Sequence, residues 1–175
     1  MKKYYLLVNP AGGTKKGMKI LEMVKPVFDK SEVHVDILQT EYAGHANQLA
    51  NTLDLSDYNG LCAIGGDGTV SECAIGLIGS ETSLAVIPCG SGNGFAYHFN
   101  VKRKIDEALL QLHNNKIKYI DSCLANNLNF INVSGIGFDA HIANLFASTK
   151  KRGFLSYIKL TLKELSYKAS ACGRT

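Results

Sequence analysis

The sequence predicts an α/β fold: a parallel sheet flanked by helices, followed by the start of an incomplete antiparallel β-rich second domain. Three observations carry this. Apolar runs of strand length recur at "KYYLLVNP", "EVHVDILQT", "GLCAIGG" and "SLAVIPCG". Helical patterns of roughly ten residues or more separate them, and strands alternating with such helices build βαβ units. The runs are apolar on both faces, as strands of a covered parallel sheet require.

Taken in order, the first run follows two lysines and stops at Asn9-Pro10. It has only about six apolar residues, short of the seven or more of a secretory h-region, so it reads as a first strand of a cytoplasmic protein. Helical patterns follow at 17–30, 44–53 and 69–78, each between two strands. "RKIDEALLQLHNN" is amphipathic, with Ile105, Ala108, Leu109 and Leu112 on one face. "KIKYIDSCLANN" and "LNFINVSGIG" read as two strands joined by an Asn-Asn turn. The stretch 138–169 is largely helical in pattern. The change of strand type divides the chain into domains at 1–115 and 116–175.

Composition narrows the class. With 46% hydrophobic and 19% charged residues, the 175-residue chain can bury a real core. No apolar run is long enough to span a membrane. Cys62, Cys73, Cys89, Cys123 and Cys172 are scattered without a C-x-x-C pair. That is the usage of a reducing compartment with small buried thiols, and neither a disulfide framework nor a zinc site is expected. Charge is uneven: residues 1–101 hold 7 Lys/Arg and 10 Asp/Glu, residues 102–175 hold 12 and 5. A basic second half can attract an anionic membrane surface or a phosphate-bearing ligand, or it can be an ordinary solvated face.

Each parallel-type strand runs into a polar or glycine-rich turn: "NPAGGTKKG", "QTEYAGH", "GGDGT" and "PCGSGNG". In open α/β sheets ligands bind outside the carboxyl ends of the strands, so the four loops are expected on one edge around one crevice. In "GGDGTVSE", Gly65, Gly66 and Gly68 let a ligand approach the backbone. Thr69 and Glu72 fit a capping box, which would start a helix directly after the turn. Free amides and the positive helix end then suit a phosphate. An acid beside that phosphate is unfavourable unless it handles a proton or a metal ion, which points to Asp67 as a base or metal-linked residue. The competing readings make Asp67 a turn former and Glu72 a helix cap. Ser91 and Asn93, among the glycines of "PCGSGNGFA", supply short polar side chains and bare amides, a nest suited to anions. Neither loop is a Walker P-loop, and "GIGFDA" lacks a Rossmann fingerprint. The histidines, His45 and His98 among them, have no ligand spacing and read as structural. A nucleophile elbow is absent, which excludes that route to Ser-His-Asp hydrolysis.

In their order, "NPAGG", "QTEYAGHANQLA", "GGDGTVSE", "PCGSGNGFA", "GIGFDAHI" and "KRGFLSYI" resemble the diacylglycerol kinase and sphingosine kinase catalytic family. The resemblance implies an ATP-dependent lipid kinase acting on a hydroxyl of a diacylglycerol-like or sphingoid lipid. It implies an ATP site built from Asn9, Gly12, Gly13, Thr40, Gly65, Gly66, Gly68, Thr69, Glu72, Gly90, Ser91 and Gly92. Asp67 would stand at the phosphoryl-transfer centre, and Asp139 would face the lipid. Mg²⁺ would bridge phosphate oxygens with few protein ligands, and the resemblance singles out no residue as its ligand. The implied partners are the lipid, the inner membrane face approached peripherally, and a second copy of the chain in a homodimer, with no nucleic acid.

Two departures stand out. The family's C-terminal β-rich domain carries an acidic D-G-E-type motif, and none occurs before Thr175. The chain therefore reads as the nucleotide-binding domain, 1–115, plus the beginning of a lipid-binding domain, 116–175. Sphingosine kinases also tend to have an acid two places after the position of Asp139, where this chain has His141. Two other functions compete. An NAD kinase shares "GGDGT" but would need an Asn-Glu pair that is not evident in 94–135. A nucleotide-binding fragment without catalysis fits the missing acidic motif.

Overall fold

A computed structural model describes residues 2–10, 17–30, 33–102, 104, 107–108, 111, 117–149 and 154–172. Strands β1 (Lys2–Val8), β2 (Val33–Gln39), β3 (Gly60–Gly65) and β4 (Leu84–Pro88) form one sheet in the order β2-β1-β3-β4. Every pairing is parallel, with Leu6 opposite Ile37 and Cys62, and Ala63 opposite Val86. All carboxyl ends therefore share one edge, as the turn chemistry predicts.

Side chains alternate across the sheet, and both faces are covered. Tyr4, Leu6, Val8, Cys62, Ile64 and Ile87 point to one side, against helix α1 (Gly17–Lys30). There Ile20, Leu21, Val24 and Phe28 recur at helical spacing and are buried. Pro26 lies inside this helix on its exposed face, where a lost backbone bond disturbs no core contact. Leu7, Leu61, Ala63 and Val86 point the other way, against α2 (His45–Thr52), α3 (Asp67–Gly76) and α4 (Gly94–His98). Nine Leu, Ile, Val or Cys side chains of the sheet and its helices are fully buried, so dispersion and apolar burial hold the sheet between its two layers.

Helices α2 and α3 pack through small residues. Ala46 and Ala50 are buried, and a Cβ at Gly76 would stand 2.6 Å from the Asn47 carbonyl oxygen and 2.7 Å from the Ala50 Cβ. Gly76 permits this close approach.

Strands β5 (Cys123–Ala125) and β6 (Leu128–Phe130) pair antiparallel across an Asn126-Asn127 turn, with Asn126 at φ 53. Left-handed φ at the first turn residue is what Asn tolerates and a two-residue hairpin needs. Cys123 is exposed, against the expectation that all the thiols are buried: it lies on a two-stranded ribbon that no described residue covers at that position. The thiols of Cys62 and Cys73 are buried in the sheet and helix layers, and burial pushes the Cys73 thiol up to about 12, with the Glu72 charge adding to it. The predicted amphipathic helix lies mostly outside the described residues, Ile105, Leu109 and Leu112 included. Ala108 is buried, and its N–H donates to the Lys104 carbonyl at 2.9 Å.

Two compact units result, Met1–Asn132 and Val133–Thr175. Compactness groups the hairpin with the sheet, whereas the division at 115/116 follows strand type. The second unit consists of α5 (Phe138–Ser148) and α6 (Phe154–Cys172). Within it Phe146 meets Tyr157 edge-on at 5.5 Å, and His141 Nε2 lies 3.3 Å from Glu164 Oε2. No helix among the described residues is long and apolar enough to cross a membrane.

Candidate active site

The chain leaves β1 for β2 on one side and later returns to β3 on the other, so the carboxyl ends of β1 and β3 flank a topological switch point. Asn9 leaves β1 there. Its N–H donates to the Ile64 carbonyl at 3.1 Å, and its side-chain Nδ2 donates to Thr69 Oγ1 at 3.0 Å. Thr69 is 6% exposed and lies against Gly65, where a Cβ would stand 2.6 Å from Oγ1. A glycine at 65 is therefore required by Thr69.

The expected capping box is not formed. Helix α3 begins at Asp67 with Gly66 as N-cap and no side-chain cap. The Thr69 hydroxyl is held by Asn9, and the Glu72 carboxylate reaches a different helix: Ala46 N–H, in the first turn of α2, donates to Glu72 Oε2 at 3.2 Å. Asn47 Nδ2 also donates to the Glu72 carbonyl at 3.2 Å. Glu72 thus satisfies an orphan amide of its neighbour, where Gly44 at the N-cap has no side chain to offer.

The two glycine loops touch. A Cβ at Gly90 would lie 2.6 Å from the Gly66 Cα, and one at Gly66 would lie 3.1 Å from the Gly90 Cα. Two bare backbones can pass at that distance and two substituted ones cannot. Cys89 N–H donates to the Gly65 carbonyl at 2.9 Å just before the contact. Asp67 then joins the loops a second time, because its Oδ1 accepts the Phe95 N–H at 3.0 Å in the first turn of α4. Its other oxygen, Oδ2, faces Gly92, where a Cβ would stand 3.1 Å away. Asp67 is half-buried: one oxygen ties the two loops together, and the other lies beside an open glycine.

Between Gly90 and Gly94 the second loop folds around Asn93, which is 7% exposed and sits at φ 56. Gly90 N–H donates to Asn93 Oδ1 at 2.8 Å, and Asn93 Nδ2 donates to the Gly90 carbonyl at 2.8 Å. Ser91 and Gly92 stand exposed at the tip, and their amides have no protein partner among the described residues. Unpaired amides at a loop tip and at a helix start are donors of the kind that hold an anion.

The remaining predicted residues fall as follows. Thr40 is buried directly after β2, its N–H bonded to the Val8 carbonyl at 2.9 Å. Gly68 is exposed in the first turn of α3, with nothing near its missing side chain. Gly12 and Gly13 lie outside the described residues. His45 has a structural role: its Nδ1 accepts the Glu41 N–H at 3.1 Å, and its ring stacks on Tyr42. Asp139 belongs to the second unit, exposed in the first turn of α5 after Gly137 at φ 81. Among the described residues no three His, Cys, Asp or Glu side chains group to hold a metal ion.

Comparison with known proteins decides the lineage. Residues 3–125 match the family model for the diacylglycerol kinase catalytic domain, which is well over half of the chain. The chain belongs to the diacylglycerol kinase catalytic-domain family. Among curated relatives it is 37% identical to sphingosine kinase 1 of Arabidopsis thaliana over 101 residues, 53% of this chain and 21% of that protein. It is 31% identical to the diacylglycerol kinase of Bacillus subtilis over 140 residues, 78% of this chain and 46% of that one. A crystal structure of a diacylglycerol kinase from Bacillus anthracis str. Sterne superposes with a TM-score of 0.62 at 30% identity. The match covers 74% of this chain and 48% of that one. The chain thus spans half or less of the length of these relatives, all of them lipid kinases by name.

For this lipid-kinase family member, two contacts of the candidate site escaped the sequence reading. The Asn9–Thr69 bond spans sixty positions, and no local pattern signals it. The Phe95 amide is invisible because backbone donors leave no mark in a sequence.

Proposed function

We propose that this chain carries the ATP-binding part of a lipid kinase that transfers the γ-phosphate of ATP to a hydroxyl of a diacylglycerol-like or sphingoid lipid. One observation carries the reading: two glycine loops meet backbone to backbone, and Asp67 bridges them while keeping Oδ2 beside bare Gly92. The exposed amides of Ser91 and Gly92, with the start of α3, supply donors for phosphate oxygens. Asn9, Thr40, Gly65, Gly66, Gly68 and Thr69 shape the floor, and Glu72 acts through α2, whose first turn it caps.

In the transfer, the lipid hydroxyl oxygen bonds to the γ-phosphorus as the bond from phosphorus to the β,γ-bridging oxygen breaks, and ADP leaves. The hydroxyl proton passes to Asp67, the acid closest to both loops. Mg²⁺ bound to the ATP oxygens would neutralise their charge, which suits amide donors and, among the described residues, no cluster of three acids or other metal ligands. Asp139 is assigned to the lipid side, and the basic residues of 102–168 to an anionic membrane surface.

The test is ATP-dependent phosphorylation of three acceptors in mixed micelles, a diacylglycerol, a sphingoid base and NAD, by the full chain, taken as a full-length kinase that contains this sequence; these 175 residues alone are expected to bind nucleotide weakly at most and to turn nothing over. Phosphate transfer to either lipid is expected. Transfer to NAD alone, or to no acceptor despite tight ATP binding, would overturn the reading.

A further inference from the structure

We propose that Asn93 is a positioning residue of the phosphate site: its carboxamide clamps both backbone groups of Gly90, turning the Ser91 and Gly92 amides outward and delivering the Phe95 amide to Asp67. The proposal rests on the ATP-binding reading above and replaces the expectation that the Asn93 side chain itself lines an anion nest, because that side chain is buried. Asn93 lies in the nucleotide loop, yet it is 7% exposed, so its own side chain is spent inside the loop.

The clamp has two arms of equal length. Oδ1 accepts from Gly90 N–H at 2.8 Å, and Nδ2 donates to the Gly90 carbonyl at 2.8 Å. These partners fix the amide orientation, since a flipped carboxamide would set donor against donor and acceptor against acceptor. Nδ2 also lies 3.4 Å from the Tyr97 hydroxyl, and the Asn93 carbonyl accepts Tyr97 N–H at 3.0 Å to start α4. The clamp therefore ties loop to helix, and α4 in turn supplies Phe95 N–H to Asp67 at 3.0 Å.

Asn is suited to this place on three counts. At φ 56 only Gly and, at low cost, Asn or Asp are accommodated. Two-point binding to one residue's N–H and C=O needs a donor and an acceptor on one short planar group. Asp has no donor and would set a carboxylate oxygen against the Gly90 carbonyl, and Gly has neither arm. Gly90 must itself be bare, because a Cβ there would lie 2.8 Å from Asn93 Oδ1.

Asn93→Gly in the full chain tolerates the same backbone conformation and removes the clamp together with the Tyr97 contact, so three measurements separate positioning from mere stability. Melting is expected within a few degrees of wild type. Amide hydrogen exchange is expected to accelerate at Gly90 and Phe95 and to stay slow at Ala63 in β3. The dissociation constant for MgATP is expected to rise by about tenfold or more, the scale of one or two hydrogen bonds no longer preorganised. Phe95 protection left intact, or an unchanged MgATP affinity, overturns the proposal. If Asn93→Gly melts far below wild type, Asn93→Asp decides. That variant tolerates the same φ and loses the Nδ2 donor, and wild-type affinity there overturns the proposal as well. Wild type that binds no MgATP would sink the kinase reading and the nucleotide role of Asn93 together, while the exchange data still decide whether the clamp exists.

Discussion

Asp67 shows how much one side chain can be asked to do when two loops meet. Its Oδ1 receives the Phe95 amide and its Oδ2 faces Gly92, so loop geometry and chemistry share one carboxylate. Replacing it by Ala removes the acceptor and leaves the Phe95 amide without its partner. A loss of about 1 kcal/mol is expected from that change in a denaturant titration. Asp67→Asn keeps an acceptor oxygen and should unfold close to wild type; equal destabilisation by both would show that the amide bond contributes nothing. At Gly90 the backbone of Gly66 leaves no room for a methyl group, so Gly90→Ala forces the loops apart. An overpacking cost of about 1–3 kcal/mol is expected, with MgATP affinity falling alongside. A Gly90→Ala protein as stable as wild type would show that the loops move apart freely. The sequence announced the glycines and the acid but could not say which glycine answers to which neighbour. Gly65 makes room for Thr69, whereas Gly66 and Gly90 make room for each other.

Among the elements, α1 has the limits its periodicity predicts, 17–30, because its apolar spacing and its loop boundaries agree. Helix α3 starts three residues earlier than the capping box implies, with Gly66 rather than Thr69 at the N-cap. An acid in the first turn is itself favourable to the helix dipole, and Gly66 tolerates the N-cap geometry, so no Thr cap is needed. Glu72 then served α2, a choice set by helix packing that a local motif cannot reveal. The same packing makes Gly76 sensitive: Gly76→Leu drives a side chain into Asn47 and Ala50. Loss of cooperative unfolding, or a melting temperature lower by several degrees, is expected, and an unaffected variant would contradict the close approach of α2 and α3.

Strand β2 carries a pH-dependent contact. The Tyr58 hydroxyl donates to Asp36, Tyr58 stacks on Tyr5 at 4.1 Å, and His34 Nε2 lies 3.1 Å from the same carboxylate. Asp36 is held below the ordinary carboxylate range, chiefly by the Tyr58 hydrogen bond and then by His34, with burial opposing. A depressed carboxylate contributes stability above its unfolded value of about 3.9 and loses it as pH falls through the folded value. Tyr58→Phe should therefore melt below wild type at pH 6, and the gap should narrow toward pH 3. A gap that stays constant with pH would separate Tyr58 from the titration of Asp36.

At the scale of the whole molecule, the parallel sheet and the edge that gathers the loops were legible, since strand-helix alternation admits few topologies. What sequence could not supply was convergence: which atoms of loops 65–69 and 89–94 touch depends on strand register, here Gly65 opposite Pro88. The charge asymmetry extends the account outward. If the basic region meets lipid, binding of the full chain to anionic vesicles should fall steeply once salt shortens the Debye length below about 10 Å. Binding indifferent to salt would leave those residues as a solvated face. The central claim, that the joined glycine loops hold ATP and Asp67 takes the acceptor's proton, is tested most directly by Asp67→Asn in the full chain. MgATP affinity and lipid phosphorylation rate should be measured on the same sample. The account predicts MgATP binding within a few-fold of wild type and phosphorylation slower by about 10²-fold or more, the low end of general-base contributions. Near-normal phosphorylation by a folded Asp67→Asn protein would contradict it and leave Asp67 as a tie between two loops.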